Sequence, residues 1–356
     1  MSTDRIALPP GSRILVIALR RLGDVLLSTP LIRSIKRAWP DAHIDTLVFA
    51  DTAGILEGNP DIDRVIAMPS RPSALDSFKV AAQLLGRYDL AVSTQSGDRP
   101  TGFAVLAAPR RVAPVEERFS GRVKRLLLSR HVAHDVKRHR VEAVLRLADA
   151  LGIARVPEVV PPQGDYPGNL PKGDYAVLHA APMFNYKRWT VAGWRAIAEA
   201  LAKRRLTVIA TGGPGAEERT YLDEVWRGSP VVRYDGQLTW PHLSALLARA
   251  RVFVGPDTSV THLAASTGCP TVTLYGPTDP RLWGPWPAGG LERSWEAAGD
   301  VQRRGNVWLV QHIFPCTPCQ LEGCERSLAS GSACLQQLSP QQVISAVEDV
   351  LRLVVV

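Results

Sequence analysis

Two hydrophobic rhythms alternate along the first part of the chain. Arg13-Ile-Leu-Val-Ile-Ala-Leu19 is a short, continuously apolar run, the pattern of a strand buried on both faces of a parallel sheet. After the turn Arg20-Arg-Leu-Gly-Asp24 the rhythm lengthens. Val25, Leu26, Leu27, Leu31, Ile32 and Ile35 fall at helical spacing, and Pro40 closes a predicted helix over 25–39. The same alternation predicts strands over 43–49, 65–68 and 90–93, with a short helix over 52–57 and a longer one over 74–85. Strands alternating with helices specify a doubly wound parallel sheet.

A Pro- and Gly-rich segment, Val156 to Lys172 with Pro157, Pro161, Pro162, Pro167 and Pro171, interrupts this order. The βα pattern then restarts. Strands are expected over 175–179, 206–210, 252–254 and 271–274, and helices over 191–203, 216–226, 242–250 and 260–266. A final apolar helix over 340–353 is expected to pack back across the domain interface. At 356 residues the chain exceeds what one core usually supports. The expected division is an N-terminal domain over 1–160, a C-terminal domain over 173–339, and the closing helix within 340–356. Ligands in such folds bind beyond the carboxyl ends of the strands, so two tandem domains facing across a cleft suit an enzyme with two substrates.

Composition narrows the class. The hydrophobic fraction is 46% and the charged fraction 21%, both ordinary for a globular protein. No apolar run approaches the length of about 18 residues needed to span a bilayer. The N-terminus breaks its apolar stretch with Asp4 and Pro9-Pro10, so no export signal is read. A cytoplasmic protein with reduced thiols is the expectation. The net charge of +8 is concentrated in residues 1–150, which carry 23 Lys and Arg against 16 Asp and Glu. Arg110, Arg111, Arg118, Arg122, Lys124, Arg125, Arg130, Lys137, Arg138 and Arg140 form a dense basic stretch. It is either a solvated face or a surface for an acidic partner.

Four segments carry candidate chemistry. Asp24 stands where the first strand hands over to the first helix, as an ordinary helix cap or as a general base that takes a proton from an acceptor hydroxyl. That loop lacks Gly-x-Gly-x-x-Gly, which argues against a nicotinamide-dependent oxidoreductase or epimerase. In Gly255-Pro-Asp-Thr-Ser-Val-Thr-His262, Asp257, Thr258 and Ser259 open a helix whose free N–H groups suit a phosphate, with His262 one turn in. The alternative for these residues is capping and packing. His179 ends the second domain's first strand, and Lys187-Arg188-Trp189 precedes its helix. Lys187 offers a charge to a departing diphosphate, Arg188 could do likewise, and Trp189 reads as packing. Thr211-Gly-Gly-Pro-Gly-Ala-Glu217 joins a glycine cluster that admits a nucleotide to an acid able to accept from ribose hydroxyls, or else it is a turn whose Glu caps the next helix.

Ile14 to Pro30, Lys187 to Trp189, Gly212 to Glu217, Gly255 to Ala264 and Tyr275-Gly-Pro-Thr278 together resemble glycosyltransferase family 9, the ADP-heptose:lipopolysaccharide heptosyltransferases. The resemblance covers nearly the whole chain. It implies two Rossmann-like domains of GT-B type. The C-terminal domain would bind ADP-L-glycero-β-D-manno-heptose and the N-terminal domain the lipopolysaccharide inner core or another lipid A-linked acceptor. Transfer would invert the anomeric centre, with no cofactor and no catalytic metal. Asp24 would be the base and Lys187 the diphosphate contact. Glu217 would hold the ribose, while Asp257, Thr258, Ser259 and His262, with His179 nearby, would line the donor site. Arg20, Arg21, Arg122, Lys124 and Arg125 would face a phosphorylated acceptor and the anionic inner face of the cytoplasmic membrane, making the enzyme cytoplasmic and peripheral. No nucleic acid partner is expected.

Where some members place hydroxyl residues this chain has Ala181-Pro182, so side-chain phosphate contacts are not expected there. Cys316, Cys319, Cys324 and Cys334 form C-x2-C-x4-C-x9-C, a pattern resembling the branch that adds the later, branching heptose. The same spacing can enclose zinc, though a reduced loop cluster is the expected state. Two rival functions share these features: a transferase of the same fold using another nucleotide-sugar for O-chain or capsule, and a non-catalytic module that holds anionic glycolipid.

Overall fold

The computed structural model describes residues 4–117, 119–164 and 171–353. Arg118 of the basic stretch, Pro167 within the Pro- and Gly-rich segment, and Val354–Val356 lie outside the described residues. The chain divides into two compact units, Met1–Pro162 and Gln163–Val356.

In the first unit the order is β1 (Arg13–Ile17), α1 (Leu22–Leu26), α2 (Thr29–Ala38), β2 (His43–Phe49), β3 (Arg64–Met68), α3 (Ala74–Leu84), β4 (Leu90–Ser93), α4 (Asp98–Ala107), β5 (Arg110–Val115), α5 (Phe119–Leu127), β6 (Arg130–Ala133) and α6 (Arg140–Leu151). The strands are all parallel, in the order β3-β2-β1-β4-β5-β6. Alternate residues of β1 serve opposite layers. Ile14 and Val16 meet α2 and α6 on one side, while Leu15 and Ile17 meet α3 and α4 on the other.

The helix expected over 25–39 is two helices. The hydroxyls of Ser28 and Thr29 donate to the carbonyls of Val25 (2.7 Å) and Leu26 (2.8 Å), and Pro30 brings no N–H to continue the ladder. The expected short helix over 52–57 is a 3-10 helix, Ala50–Leu56. Much of the basic stretch builds this unit. Arg111 donates to the carbonyls of Ala108 and Leu127, and Arg130 to those of Asp4 and Ala150.

The second unit runs β7 (Tyr175–His179), α7 (Val191–Lys203), β8 (Thr207–Thr211), α8 (Ala216–Val225), β9 (Val232–Arg233), α9 (Trp240–Ala248), β10 (Val252–Pro256), α10 (Ser259–Ser266), β11 (Thr271–Tyr275), α11 (Pro280–Trp283), β12 (Val301–Arg304), β13 (Val307–Gln311), α12 (Ala333–Gln336) and α13 (Pro340–Leu353). Its sheet order is β12-β13-β11-β10-β7-β8-β9, parallel except for the edge strand β12. α9 begins two residues before the expected start because Thr239 caps it, accepting from the His242 N–H, and Pro241 is tolerated in a first turn. In α13, Val343, Ala346, Val347 and Val350 are buried in the second unit's own core with Trp189, Trp194 and Trp308. Among the described residues no helix is long and apolar enough to cross a membrane.

Strand order reverses between β1 and β4 in the first unit, and between β7 and β10 in the second. At such a reversal the flanking loops part and leave a crevice at the carboxyl ends. Asp24 follows β1 and Asp257 follows β10, so each unit carries a buried or nearly buried acid at its own switch point.

Candidate active site

The first unit's site is built on Asp24. The residue is not a helix cap: Arg21 occupies that position, and Asp24 is the third residue of α1. Its carboxylate is instead held by cations. Arg140 Nε lies 3.0 Å from Asp24 Oδ1, with both side chains about nine-tenths buried, and the more exposed Arg20 Nε lies at 3.5 Å. The Arg140 contact is close but poorly aligned. Asp24 Oδ1 and Arg140 Nε and Nη2 are buried without a partner in hydrogen-bond geometry, which leaves donor and acceptor capacity for a ligand. Burial pushes the Arg140 guanidinium down, Asp24 opposes that and Arg20 adds to it. Arg140 was legible only as one charge in a basic run. Its partner is 116 positions away, and α6 packing against α2 brings the two together.

The other expected acceptor residues differ in availability. Arg122 and Arg125 are exposed on α5, and Arg20 and Arg21 are exposed at the end of β1. Lys124 is engaged: its ammonium donates to the Ser96 carbonyl (2.5 Å) and pairs with Asp98 (2.7 Å), while Ser96 Oγ donates to Glu116 (3.0 Å).

In the second unit Asp257 is a hub. Lys187 Nζ donates to Asp257 Oδ2 at 2.5 Å, His262 Nε2 lies 4.0 Å from Oδ1, and Tyr275 Oη lies 3.3 Å from Oδ1. Tyr275 Oη is also 2.5 Å from the Trp283 carbonyl, so its one proton is shared. Burial, the largest influence, works to raise the Asp257 pKa. Lys187 and His262, with hydrogen bonds from Lys187 and Thr278, outweigh it and hold the carboxyl below the usual range. The Tyr275 phenol goes the other way, pushed well up by burial and by Asp257. Thr258 is the N-cap of α10, accepting from the Thr261 N–H at 3.4 Å. Ser259 follows it, half-buried in the first turn.

Lys187, Asp257 and His262 are thus brought together, and Tyr275 and Thr278 join them. These last two were present in a quoted motif without an assigned role. The available signal was that β11 neighbours β10 in register, which places the residues following both strands side by side. His179 is fully buried and its Nδ1 lies 3.1 Å from Thr211 Oγ1. Burial pushes its pKa down to about 4, so the ring is neutral near pH 7. Arg188 stacks over Tyr221, 4.0 Å from the ring centroid, and Trp189 is a core residue whose Nε1 donates to the Leu338 carbonyl at 2.8 Å.

The glycine loop after β8 has a structural reason beyond ligand access. A Cβ at Gly212 would lie 2.3 Å from Leu222, and one at Gly213 would lie 2.7 Å from Glu218. Glu217 is exposed in the first turn of α8, and the neighbouring Glu218 ties the loop by accepting from the Gly213 N–H at 2.6 Å. Of the four spaced cysteines, Cys316 and Cys324 are exposed, Cys319 is half-buried and Cys334 is buried, all as free thiols. Burial first, with Cys319 and Cys324 nearby, pushes the Cys334 thiol up to about 11. Among the described residues no group of three or more His, Cys, Asp or Glu side chains is placed to hold a metal ion.

Two doubly wound units, each with polar groups gathered at a switch point, have the fold class of GT-B glycosyltransferases. The chain belongs to a family described as glycosyltransferase family 9 (heptosyltransferase), which matches residues 77–290. Lipopolysaccharide heptosyltransferase 3 of Escherichia coli (strain K12) is 28% identical over 292 residues, 75% of this chain and 83% of that protein. Lipopolysaccharide heptosyltransferase 1 of Pseudomonas aeruginosa is 27% identical over 370 residues, 95% of this chain and 98% of the relative. Among solved structures, the E. coli heptosyltransferase WaaC with ADP superposes with a TM-score of 0.70 at 22% identity, covering 95% of this chain and 99% of that one.

Proposed function

We propose that this glycosyltransferase moves heptose from an ADP-heptose donor to the inner core of lipopolysaccharide, inverting the anomeric centre. The observation that carries the reading is the Lys187–Asp257 pair at the second switch point, 2.5 Å apart, in a chain whose family is named for heptose transfer. In this mechanism an acceptor hydroxyl oxygen attacks the donor's anomeric carbon as the bond to the diphosphate oxygen breaks. Asp24 takes the hydroxyl proton, and ADP leaves with the bonding electron pair. Negative charge builds on the diphosphate as that bond lengthens. Lys187, pre-aimed by Asp257, and the free N–H groups of α10 lower its energy. Glu217 and His179 belong to the donor side, with Ser259 and Thr258 at the mouth of α10. Arg20, beside Asp24, and Arg21 belong to the acceptor side, and Arg122 and Arg125 to the anionic membrane face that carries the acceptor. No step calls on a metal.

An acceptor of this kind is lipid-linked, so the reading places the enzyme in the cytoplasm, peripheral at the inner face of the cytoplasmic membrane. The relatives named heptosyltransferase 3 and 1 stand at 28% and 27% identity, so the acceptors to test include cores truncated before each of those heptoses. Incubation with ADP-heptose and this set, followed by mass spectrometry, should show one acceptor gaining one heptose. Transfer from UDP- or GDP-sugars in preference to ADP-heptose would replace this reading with the O-chain or capsule alternative. Donor turnover absent with every acceptor would favour a binding module.

A further inference from the structure

We infer that the outer surface of α3, α4 and α5 is the face on which this protein lies against an anionic lipid bilayer. The three helices share one side of the first sheet. α3 and α4 pack on Leu15, Ile17 and Ala91. In-register pairing sets Leu15, Ala91 and Arg111 side by side, and strand alternation carries Ala113 and Val115, beneath α5, to that same side.

What these helices turn outward is unusual for a water-facing surface. On α3, Val80 and Leu84 are buried, yet Phe78 is 69% exposed and Leu85, at the helix end, 62%. Leu106 is exposed on α4. On α5, Val123, Leu126 and Leu127 fall at spacings of three and four, so they form one stripe, with Leu126 at 87% exposure. Scattered single apolar residues need no explanation, but the stripe on α5, with exposed apolar residues on the two neighbouring helices, marks an interaction surface.

Charge selects the partner. Residues 71–127 hold ten Lys and Arg against five Asp and Glu. Lys79 on α3, Arg99 on α4, and Arg122 and Arg125 on α5 are exposed among the apolar positions. Apolar side chains interleaved with long cationic ones suit the headgroup boundary of an anionic membrane. The hydrocarbon ends enter the acyl region and the guanidinium and ammonium groups stay with lipid phosphates. A second copy is the poorer fit. A two-fold interface sets the same patch against itself and would bring these cations together. The inference deepens the proposed function, from which it takes only a lipid-linked acceptor, and its primary test reads no turnover.

The experiment is co-sedimentation of the full chain with vesicles of phosphatidylethanolamine and phosphatidylglycerol at about three to one, and with phosphatidylcholine vesicles. The protein should bind the anionic vesicles at least about tenfold more tightly, and the difference should shrink as salt rises. The double variant Phe78→Glu/Leu126→Glu should lose on the order of a hundredfold of that affinity. Leu126→Glu alone, at a nearly fully exposed position, should lose about tenfold, and it serves if the double variant does not fold. Both variants should transfer heptose to a delipidated, water-soluble acceptor at the parent rate. Equal vesicle binding by parent and Leu126→Glu overturns the inference, as does equal binding of anionic and neutral vesicles. A parent dimer that Leu126→Glu converts to monomer also overturns it, assigning the face to self-association. Absence of transfer by the parent itself, with the vesicle results as expected, sinks the proposed reaction and leaves the lipid face standing.

Discussion

Replacing Lys187 by Met separates two jobs that one ammonium performs. In the folded protein this group neutralises buried Asp257 at 2.5 Å, and in the proposed reaction it meets the donor diphosphate. Removing one partner of a fully buried pair costs about 3–5 kcal/mol. Here Lys187 is 20% exposed, and Asp257 keeps Thr278 and a neighbouring His262. The expected destabilisation is therefore nearer 2 kcal/mol, a discount for the partial access of water. Asp257→Asn should cost a similar amount by leaving the ammonium unpaired. The double variant, which removes both charges, should be more stable than the sum of the single losses by about 1–2 kcal/mol. Affinity for ADP should behave differently. A lost charge-assisted contact is worth about 1.5–3 kcal/mol, so Kd should rise about tenfold to a hundredfold in Lys187→Met, and the double variant should not recover it. Denaturant unfolding gives the first set of numbers and titration calorimetry with ADP the second. An unchanged Kd for ADP in folded Lys187→Met would refute the diphosphate role and leave Lys187 as structural support for Asp257.

Asp24→Asn should lower kcat by about 10²- to 10⁴-fold while ADP affinity stays near the parent value, measured by coupled ADP release and calorimetry; near-parent turnover removes Asp24 from the base role. Arg140→Met takes away the cation 3.0 Å from Asp24, and kcat should fall at least about tenfold with KM for the donor unchanged, Arg140→Lys restoring part of it. If both variants keep parent kinetics, Arg140 does not position the base. Stability should also depend on pH through His179. Its folded pKa is about 4 against about 6.5 unfolded, so the unfolded chain takes the proton first as pH falls. The contribution is intact above about 6.5 and is lost between there and about 4, on the order of 3 kcal/mol in all. His179→Gln should flatten that part of the profile; an unaltered slope would mean that His179 is not the titrating group.

The doubly wound order was legible because buried parallel strands are written as continuous apolar runs, as in Ile14–Ile17 and Tyr175–Leu178. The break at 27–28 was not. Val25 to Ile35 keeps helical spacing through it, and the interruption comes from hydroxyls turning back onto carbonyls. The strands at 110–115 and 130–133 were hidden by their own arginines, which look like surface until the carbonyls they serve are known. Asp24 and Asp257 could be singled out from their places after strand ends, and Lys187 from its place between a strand and a helix. Arg140 could not, since no local pattern links it to Asp24. Glu217 and Glu218 are alike in sequence, and only packing against Gly212 and Gly213 sets Glu218 to tie the loop while Glu217 stays exposed.

The burial of α13 in the second core has a consequence for synthesis. Val343 to Leu351 complete a hydrophobic layer whose other members begin at Ala176, so some 170 residues must leave the ribosome before that layer can close. The first unit, Met1–Pro162, has its own sheet and hydrophobic layers and can settle while translation continues. Loss of α13 would then leave a finished first half tethered to an open and aggregation-prone second one.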